Sequence, residues 1–336
     1  MPHSLACVRL AGIAATPASF LLMRILRRPP VPNAMLRRGV VVALALLAGA
    51  LLVACSQPTA SSPPPTPFGQ LGAGQGTPGR LTGAIGNADL AVGPDQRFQL
   101  VLLGPDNALV SDAAVNMSFF KVVGSNQAQL RGQQPAEYEE PPGLPGHGLY
   151  VARQTFDEAG DWGMVAEVQR PGQDSTELRL GFKVKDKSDT PAIGQPVPAS
   201  NSPVGSTTEQ IAKFSSAQPA EPAFYRLSVA DAVAQHKPFV VLFASPGFCT
   251  SRTCGPSMDV LADLQRQFGA DVNFIHVEIY KDAHPPEIAP TVDEWHLPSE
   301  PWMFVVGADG KLVQKFDGVI RTDDVAPAIG SLLGAA

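Results

Sequence analysis

The chain has 336 residues, which is long enough for two domains with connecting segments. Charged residues make up 17% of it and the formal net charge is −6. This mildly acidic balance argues against a nucleic-acid partner, because such a partner requires a basic face that neutralises phosphates. Of the 33 prolines, 12 lie in two stretches, residues 56–80 and 187–222. We interpret those stretches as connections between structural units.

Residues 1–55 are predicted to be an export signal. Arg37 and Arg38 begin a positively charged segment, and the apolar run 40–54 follows it. That run is short for a transmembrane helix and is typical of the hydrophobic part of a signal peptide. The sequence Leu-Val-Ala-Cys55 resembles the bacterial lipobox. This resemblance implies that Cys55 is lipidated and anchors the protein at the extracytoplasmic face of the cell membrane. An ordinary signal peptide cleaved just before Cys55 is the alternative.

Residues 1–34 do not fit a signal peptide of their own, so either translation begins at Met35 or the charged segment is unusually long. Residues 56–80 are mostly Ser, Pro, Gly, Thr and Gln. Such a composition cannot bury a core, and we expect a flexible tether there. Residues 187–222 are similar in composition and are predicted to be an interdomain linker.

Residues 81–186 show short runs of alternating apolar residues separated by turn signals, without a helical stretch. This pattern predicts an antiparallel β-sandwich of immunoglobulin-like type. The predicted strands are 97–103, 114–123, 148–156, 162–169 and 178–184.

One part of this region carries a family resemblance. Gly148-Leu-Tyr150, Phe156 and Gly160-Asp-Trp162 resemble a hairpin of FixH/YtkA-like extracytoplasmic domains. The resemblance implies a sandwich and little about activity.

Residues 223–336 alternate between helical and strand patterns. Helices are predicted at 228–235, 257–268 and 323–333, and strands at 238–244, 273–280, 302–306 and 312–316. The last two strands flank the turn Asp309-Gly310, which indicates a β-hairpin. The order β-α-β, hairpin, α predicts an α/β domain with helices on both faces of a central sheet.

Cys249 and Cys254 form a matched pair, because Cys7 and Cys55 belong to the predicted export segment. They lie where a predicted strand leads into a predicted helix, and a helix N-terminus stabilises a thiolate. A bridge between them would close a very short loop, which suits a redox switch better than a structural staple. A plain structural disulfide is the alternative.

The C-terminal domain resembles the thioredoxin superfamily through the strand that enters the cysteine loop, Cys254-Gly-Pro256, Glu300-Pro301-Trp302 and Asp309-Gly310. The resemblance implies a thioredoxin-like fold, with Pro301 in cis facing the cysteines and shaping a substrate groove to which Trp302 contributes.

It also implies a thiol–disulfide oxidoreductase that acts on the cysteines of exported proteins, needs no organic cofactor and exchanges electrons with a membrane redox partner. The family has two residues between its cysteines, whereas this chain has four. The helix terminus favours Cys254 as the attacking thiol and exposure favours Cys249. The order is left open.

Copper delivery is the rival hypothesis. Sco-type copper chaperones place a Cys-x-x-x-Cys pair at this point of the same fold and add a distal histidine. Thiolates suit Cu(I) and imidazole suits copper in either state. In this chain, the copper ligands would be Cys249 and Cys254 with His284 or His296.

Overall fold

The computed structural model describes residues 80–334. A mainly antiparallel β region spans residues 81–186 (the N-terminal region), and a second sheet with helices spans residues 223–334 (the C-terminal region). No helix in this described range has both the length and the apolar character to cross a membrane. The predicted export signal, Cys55 and nearly all of the predicted tether lie outside the described residues.

The N-terminal region contains seven strands, in the sheet order β1-β2-β5-β4-β3-β6-β7. The strands are β1 Thr82–Ile85, β2 Gly93–Leu103, β3 Ala114–Gly124, β4 Gln127–Glu139, β5 Leu149–Phe156, β6 Gly160–Gln169 and β7 Thr176–Val184. The five predicted strands are all present. The sequence patterns missed β1 and β4.

These strands form one continuous curled sheet rather than the two separate sheets of the predicted sandwich. The strand β4 is the reason, because it pairs with β3 along residues 127–136 and with β5 along residues 137–139. The sheet nearly closes, since Val92 N donates to Lys185 O (2.9 Å) and Lys185 N donates to Leu90 O (2.9 Å). Its interior is filled by a ring cluster comprising Phe98, Phe119, Phe156, Trp162 and Phe182.

The predicted hairpin between β5 and β6 is wrong. The strand β5 pairs with β2 and β4, while β6 pairs with β3 and β7. The connection therefore crosses from one side of the curled sheet to the other. Its aromatic residues hold this crossing, because the rings of Phe156 and Trp162 pack at 5.0 Å and Trp162 Nε1 donates to Glu158 O (2.9 Å).

The C-terminal region contains a four-stranded sheet in the order β11-β10-β8-β9. The strands β8 and β9 are parallel, and the other neighbours are antiparallel. All predicted elements of this region are found: the strands β8 Phe239–Ala244, β9 Asn273–Glu278, β10 Trp302–Val306 and β11 Leu312–Asp317, and the helices α2 Val229–Ala234, α3 Cys254–Phe268 and α5 Thr322–Gly334. Two further short helices are present, α1 Thr208–Ile211, which precedes this region, and α4 Pro290–Glu294. The helices α1 and α4 and two short 3₁₀ turns, Pro222–Tyr225 and Lys281–Ala283, were not predicted.

Both faces of this second sheet are buried, as the uninterrupted apolar run of β8 requires. Alternate residues of β8 and β10 point to opposite faces. One face packs against α3 and α5 and includes Cys254, while the other packs against α2 and Trp295. The cysteine pair therefore lies at the edge of the α3 face.

The segment predicted as a linker, residues 187–222, lies along the C-terminal region. Gly194 N donates to Leu312 O (2.7 Å). Val197 and Ile211 are buried in the cores on the two faces of the second sheet. Widely spaced apolar residues inside a Pro- and Ser-rich stretch are enough to fix it there.

A buried polar cluster joins the two regions. Arg97 of β2 is ion-paired with Glu139 of β4, and its guanidinium also lies 3.7 Å from Asp324 of α5. Beside it, Gln99 Nε2 donates to Asp317 Oδ1 (2.7 Å). These contacts fix β2 and β4 of the N-terminal region against the C-terminal region.

Candidate active site

The cysteine loop follows the buried strand β8. Phe248 N and Cys249 N both donate to Ser245 O (3.0 and 2.9 Å), which folds the chain back directly after the strand. The helix α3 then begins at Cys254. Cys249 and Cys254 are joined by a disulfide, with their Cα atoms 6.0 Å apart. The structure thus brings together the two residues that the sequence singled out.

The two cysteines differ in exposure. Cys254 is fully buried (0% exposed) in the core under α3, whereas Cys249 is only partly buried. Phe248, beside Cys249, is 38% exposed. A thiol arriving from solvent therefore meets the sulfur of Cys249.

Cys254 lies at the N-terminal end of α3. Cys254 is the first helical residue, and Thr253 at the N-cap makes no side-chain hydrogen bond to the first turn. Pro256 has no N–H to offer. Ser257 is buried and its Oγ donates to Thr253 O (2.9 Å). The uncapped helix end therefore leaves its partial positive charge to act on Cys254.

Glu300 is a site residue that sequence reasoning missed. Its Oε2 lies 3.4 Å from Cys254 Sγ and accepts hydrogen bonds from Ser245 N (2.7 Å) and Ser245 Oγ (2.6 Å). Burial raises the pKa of this carboxyl above its ordinary value, although the Ser245 hydrogen bonds act in the opposite direction. The signal in the sequence is an acidic residue directly before Pro301 and the apolar strand β10.

Pro301 and Trp302 occupy different environments. The Glu300–Pro301 peptide bond is cis and Pro301 is buried. Trp302 lies on the opposite face of the second sheet from Cys254, stacked on Phe304 with ring centroids 5.8 Å apart. Trp302 is thus a core residue and does not border the cysteines.

The donor atoms of Cys249, Cys254 and Glu300 lie within 4.8 Å of one another. Among residues 80–334 this is the one group of three or more Cys, His, Asp or Glu side chains close enough to share a metal ion. His284 and His296 do not belong to it. His284 instead packs against the ring of Phe248 at 6.2 Å. The histidine required by the copper hypothesis is therefore not in place in the described structure.

A chain of buried hydrogen bonds begins at Ala244, the last residue of β8, just before the cysteine loop. Nε2 of His276 lies 3.0 Å from Ala244 O, and its Nδ1 lies 2.7 Å from Tyr225 Oη, which in turn lies 2.9 Å from Ser215 Oγ. A carbonyl can only accept, so this network assigns the proton to Nε2 and makes Nδ1 the acceptor. Burial lowers the pKa of His276 to about 4 and raises that of Tyr225 to about 12.

A second carboxyl connects the loop to residues 187–222. Glu278 Oε2 accepts hydrogen bonds from Ser216 N and Ser216 Oγ, both at 2.7 Å, and Gly247 N donates to Ser216 Oγ (3.0 Å). A Cβ at Gly247 would lie 2.9 Å from Ser216 Cβ, so only glycine permits this approach. The loop is therefore held on both sides by buried polar groups.

Comparisons with known proteins add little. No protein-family model matches the chain, and no curated protein matches it. One solved structure, of a DUF4426 family protein from Pseudomonas aeruginosa PAO1, aligns with 34% of this chain and 98% of its own, at 12% identity and a TM-score of 0.25. A likeness of that degree says nothing about the fold or activity of this chain.

Proposed function

We propose that this protein is a thiol–disulfide oxidoreductase, anchored by lipid at the outer face of the cell membrane, that exchanges disulfides with the cysteines of exported proteins. One observation carries the proposal: a disulfide with one accessible and one buried sulfur lies at an uncapped helix N-terminus, with a carboxyl 3.4 Å from the buried sulfur. The lipid anchor and a membrane redox partner rest on the sequence of residues 35–55.

The assignment of the C-terminal region to the thioredoxin-like class is part of this proposal. It is supported by the order β8-α3-β9, then β10-β11-α5, by the sheet order and by the cis bond before Pro301. The assignment of the N-terminal region to the immunoglobulin-like class has weaker support, from seven antiparallel strands around one core.

The exchange begins at Cys249. A thiolate of the substrate attacks Cys249 Sγ, a new bond forms between these two sulfurs, and the Cys249–Cys254 bond breaks. Cys254 leaves as a thiolate, which the N-terminal end of α3 stabilises. A second substrate thiolate then attacks its partner sulfur in the mixed disulfide, so that the substrate leaves oxidised and the protein holds two reduced cysteines.

Glu300 donates and accepts the proton that the sulfur of Cys254 exchanges during the reaction. As a carboxylic acid it donates a proton to the Cys254 thiolate as that thiolate leaves. In the reverse direction its carboxylate takes the proton from the Cys254 thiol, which then attacks Cys249 Sγ and releases the substrate. The raised pKa of Glu300 keeps part of it protonated closer to neutral pH than a glutamate in water.

Copper delivery has less support. The two cysteines that it requires are present, but in the described residues their third neighbour is the carboxyl of Glu300 rather than an imidazole. A carboxylate is a hard ligand and does not favour Cu(I). We therefore do not advance copper as a second function.

Single cysteine variants test the proposal. The Cys254→Ser variant is expected to accumulate a mixed disulfide with an exported cysteine-containing protein through Cys249, because the resolving thiol is missing. The Cys249→Ser variant should trap much less, since Cys254 is buried. Non-reducing electrophoresis and mass spectrometry of the trapped species give the answer. If both variants trapped partners equally, or neither did, the proposal would be wrong.

A further inference from the structure

A groove of about 650 Å³ borders the disulfide, and the N-terminal region forms one of its walls. Pro142 and Leu144, from the loop between β4 and β5, line one side of it. Cys249, Met258 and Ala262 also line it, from the cysteine loop and α3. None of the residues assigned to the thiol–disulfide exchange belongs to the N-terminal region. The position of the β4–β5 loop beside the disulfide therefore indicates a role other than the exchange itself.

The β4–β5 loop, residues 140–148, is held in place by its own hydrogen bonds. Gly146 N donates to Glu140 Oε1 (2.7 Å), and Gly148 N donates to Tyr138 Oη (2.8 Å). A Cβ at Gly148 would lie 2.1 Å from Glu139 O, so the loop closes tightly at its base. The wall is thus preformed rather than assembled by the substrate.

The base of this loop is tied to the C-terminal region by charge. Glu139, the last residue of β4, is ion-paired with Arg97 and lies 3.5 Å from the guanidinium of Arg321. Leu149 and Val151 of β5 pack on Val319. These contacts bring the loop to the groove and keep it there.

We propose that this groove takes the polypeptide segment around the reacting cysteine, so that the N-terminal region selects protein substrates for the exchange. The inference rests on the proposed function, because the sulfur of Cys249 in the groove requires an occupant that carries sulfur. Apolar side chains on both sides, Leu144 and Met258 among them, suit the side chains of such a segment.

The polar groups of the groove suit a peptide backbone. Gln218, Glu221, Arg252 and Asp259 also line it and provide both hydrogen-bond donors and acceptors, with two acidic groups and one basic group. Its volume lies within the range of roughly 300–1,000 Å³ that is typical of ligand-binding pockets. We expect a small disulfide, which occupies only part of this volume, to depend less on the β4–β5 loop than a polypeptide does.

The test compares a protein probe with a small probe. The reduced protein is mixed in a single turnover with insulin or with hydroxyethyl disulfide. Cys249 attacks the disulfide of the probe, Cys254 then closes the bond to Cys249, and the probe leaves as two thiols. The dithiol of the protein supplies both electrons, and the loss of protein thiols gives each rate.

Leu144→Ser is expected to lower the ratio of the insulin rate to the hydroxyethyl disulfide rate about tenfold, because one apolar contact is removed. Met258→Gln, on the opposite wall, should lower the same ratio. Leu130→Ser is the matched control, since Leu130 is 59% exposed on β4 and does not line the groove. It should leave the ratio unchanged.

The experiment distinguishes a failure of the proposed function from a failure of the inference about the groove. If the unaltered protein does not react with hydroxyethyl disulfide, the proposed function is overturned and the inference with it. If it reacts but Leu144→Ser and Met258→Gln keep the ratio of the unaltered protein, the inference alone is overturned. An equal loss with both probes also overturns it, because the wall would then act on the cysteines rather than on the substrate.

Discussion

At the residue scale, the reactivity of this site is determined by the unequal surroundings of two sulfurs. Cys249 meets solvent, whereas Cys254 lies under α3 between a helix N-terminus and the carboxyl of Glu300. The helix end favours the thiolate of Cys254, and the carboxyl exchanges the proton that this thiolate needs. The accessible sulfur is therefore the one attacked from outside, and the buried one is the leaving group.

Glu300→Gln keeps the shape of the side chain but cannot accept a proton. We expect the step in which Cys254 attacks the mixed disulfide to slow by about a hundredfold. In the unaltered protein this rate should rise with pH through the pKa of Glu300, which burial places above the ordinary value of 4.5, because the carboxylate is the base. The variant should lack that rise. Stopped-flow measurement of the resolving step from pH 4 to 8 checks both points.

The control is Glu158→Gln, an exposed carboxyl paired with Arg131 in the N-terminal region. It should leave the rate and its pH profile unchanged. A Glu300→Gln protein with the same pH profile as the unaltered protein would show that Glu300 only packs against the sulfur.

At the element scale, the predictable strands are those with dense apolar runs, such as β8 and β10. The strand β4 escaped prediction because its sequence is largely polar and contains Gly132 and Pro135. Yet β4 makes the sheet continuous and leads into the groove loop. Local patterns report side-chain burial, and a strand stabilised mainly by its neighbours leaves little of that signal.

The residues of the candidate site also fall into two groups, those that the sequence predicts and those that only the folded structure brings together. The cysteine pair and Pro301 lie in short motifs that are readable along the chain. The contact between Glu300 and Cys254 joins residues 46 apart in sequence, and the groove adds Leu144 from another region. The pairing of β10 with β8 brings Glu300 to the cysteine loop, and the contacts between the two regions bring Leu144 to the groove.

The strand β9 carries a buried histidine, His276, whose protonation should destabilise the folded protein. The pKa of His276 is about 4 in the folded protein, against 6.5 when exposed, so between these values the unfolded chain binds a proton that the folded one does not. Stability therefore falls as pH drops from 6.5 to 4, by about 3 kcal/mol. Urea unfolding at pH 7.5 and pH 4.5 measures this loss.

His276→Gln can keep both hydrogen bonds but does not titrate, so its loss between the two pH values should be smaller by about that amount. His147→Gln, at an exposed histidine in the β4–β5 loop, serves as the control and should behave like the unaltered protein. An identical acid loss in the His276→Gln protein would contradict the burial argument.

At the scale of the whole molecule, the two regions are joined through charges removed from water. Arg97 is buried between Glu139, Asp324 and the carbonyl oxygens of Asp317 and Val319. Burial raises the pKa of both Glu139 and Asp317. Removal of one partner from such a cluster leaves uncompensated buried charge, which costs more than the pair contributes when intact.

Arg97→Met is expected to lower the free energy of unfolding by about 3–5 kcal/mol. Arg153→Met removes a surface pair with Asp95, whose side chains are 43% and 70% exposed, and should cost less than about 1 kcal/mol. Urea titrations of the three proteins compare these values. Equal effects of the two substitutions would mean that the interface cluster does not hold the regions together.

The central claim is that the Cys249–Cys254 disulfide opens and closes reversibly. The most direct measurement equilibrates the full chain in detergent with mixtures of oxidised and reduced dithiothreitol, and counts alkylated thiols by mass. We expect a two-electron transition that adds two thiols, with a potential above about −300 mV, and no transition in the Cys249→Ser, Cys254→Ser double variant. A bond that stays closed under excess reduced dithiothreitol would contradict the claim and make it a structural crosslink.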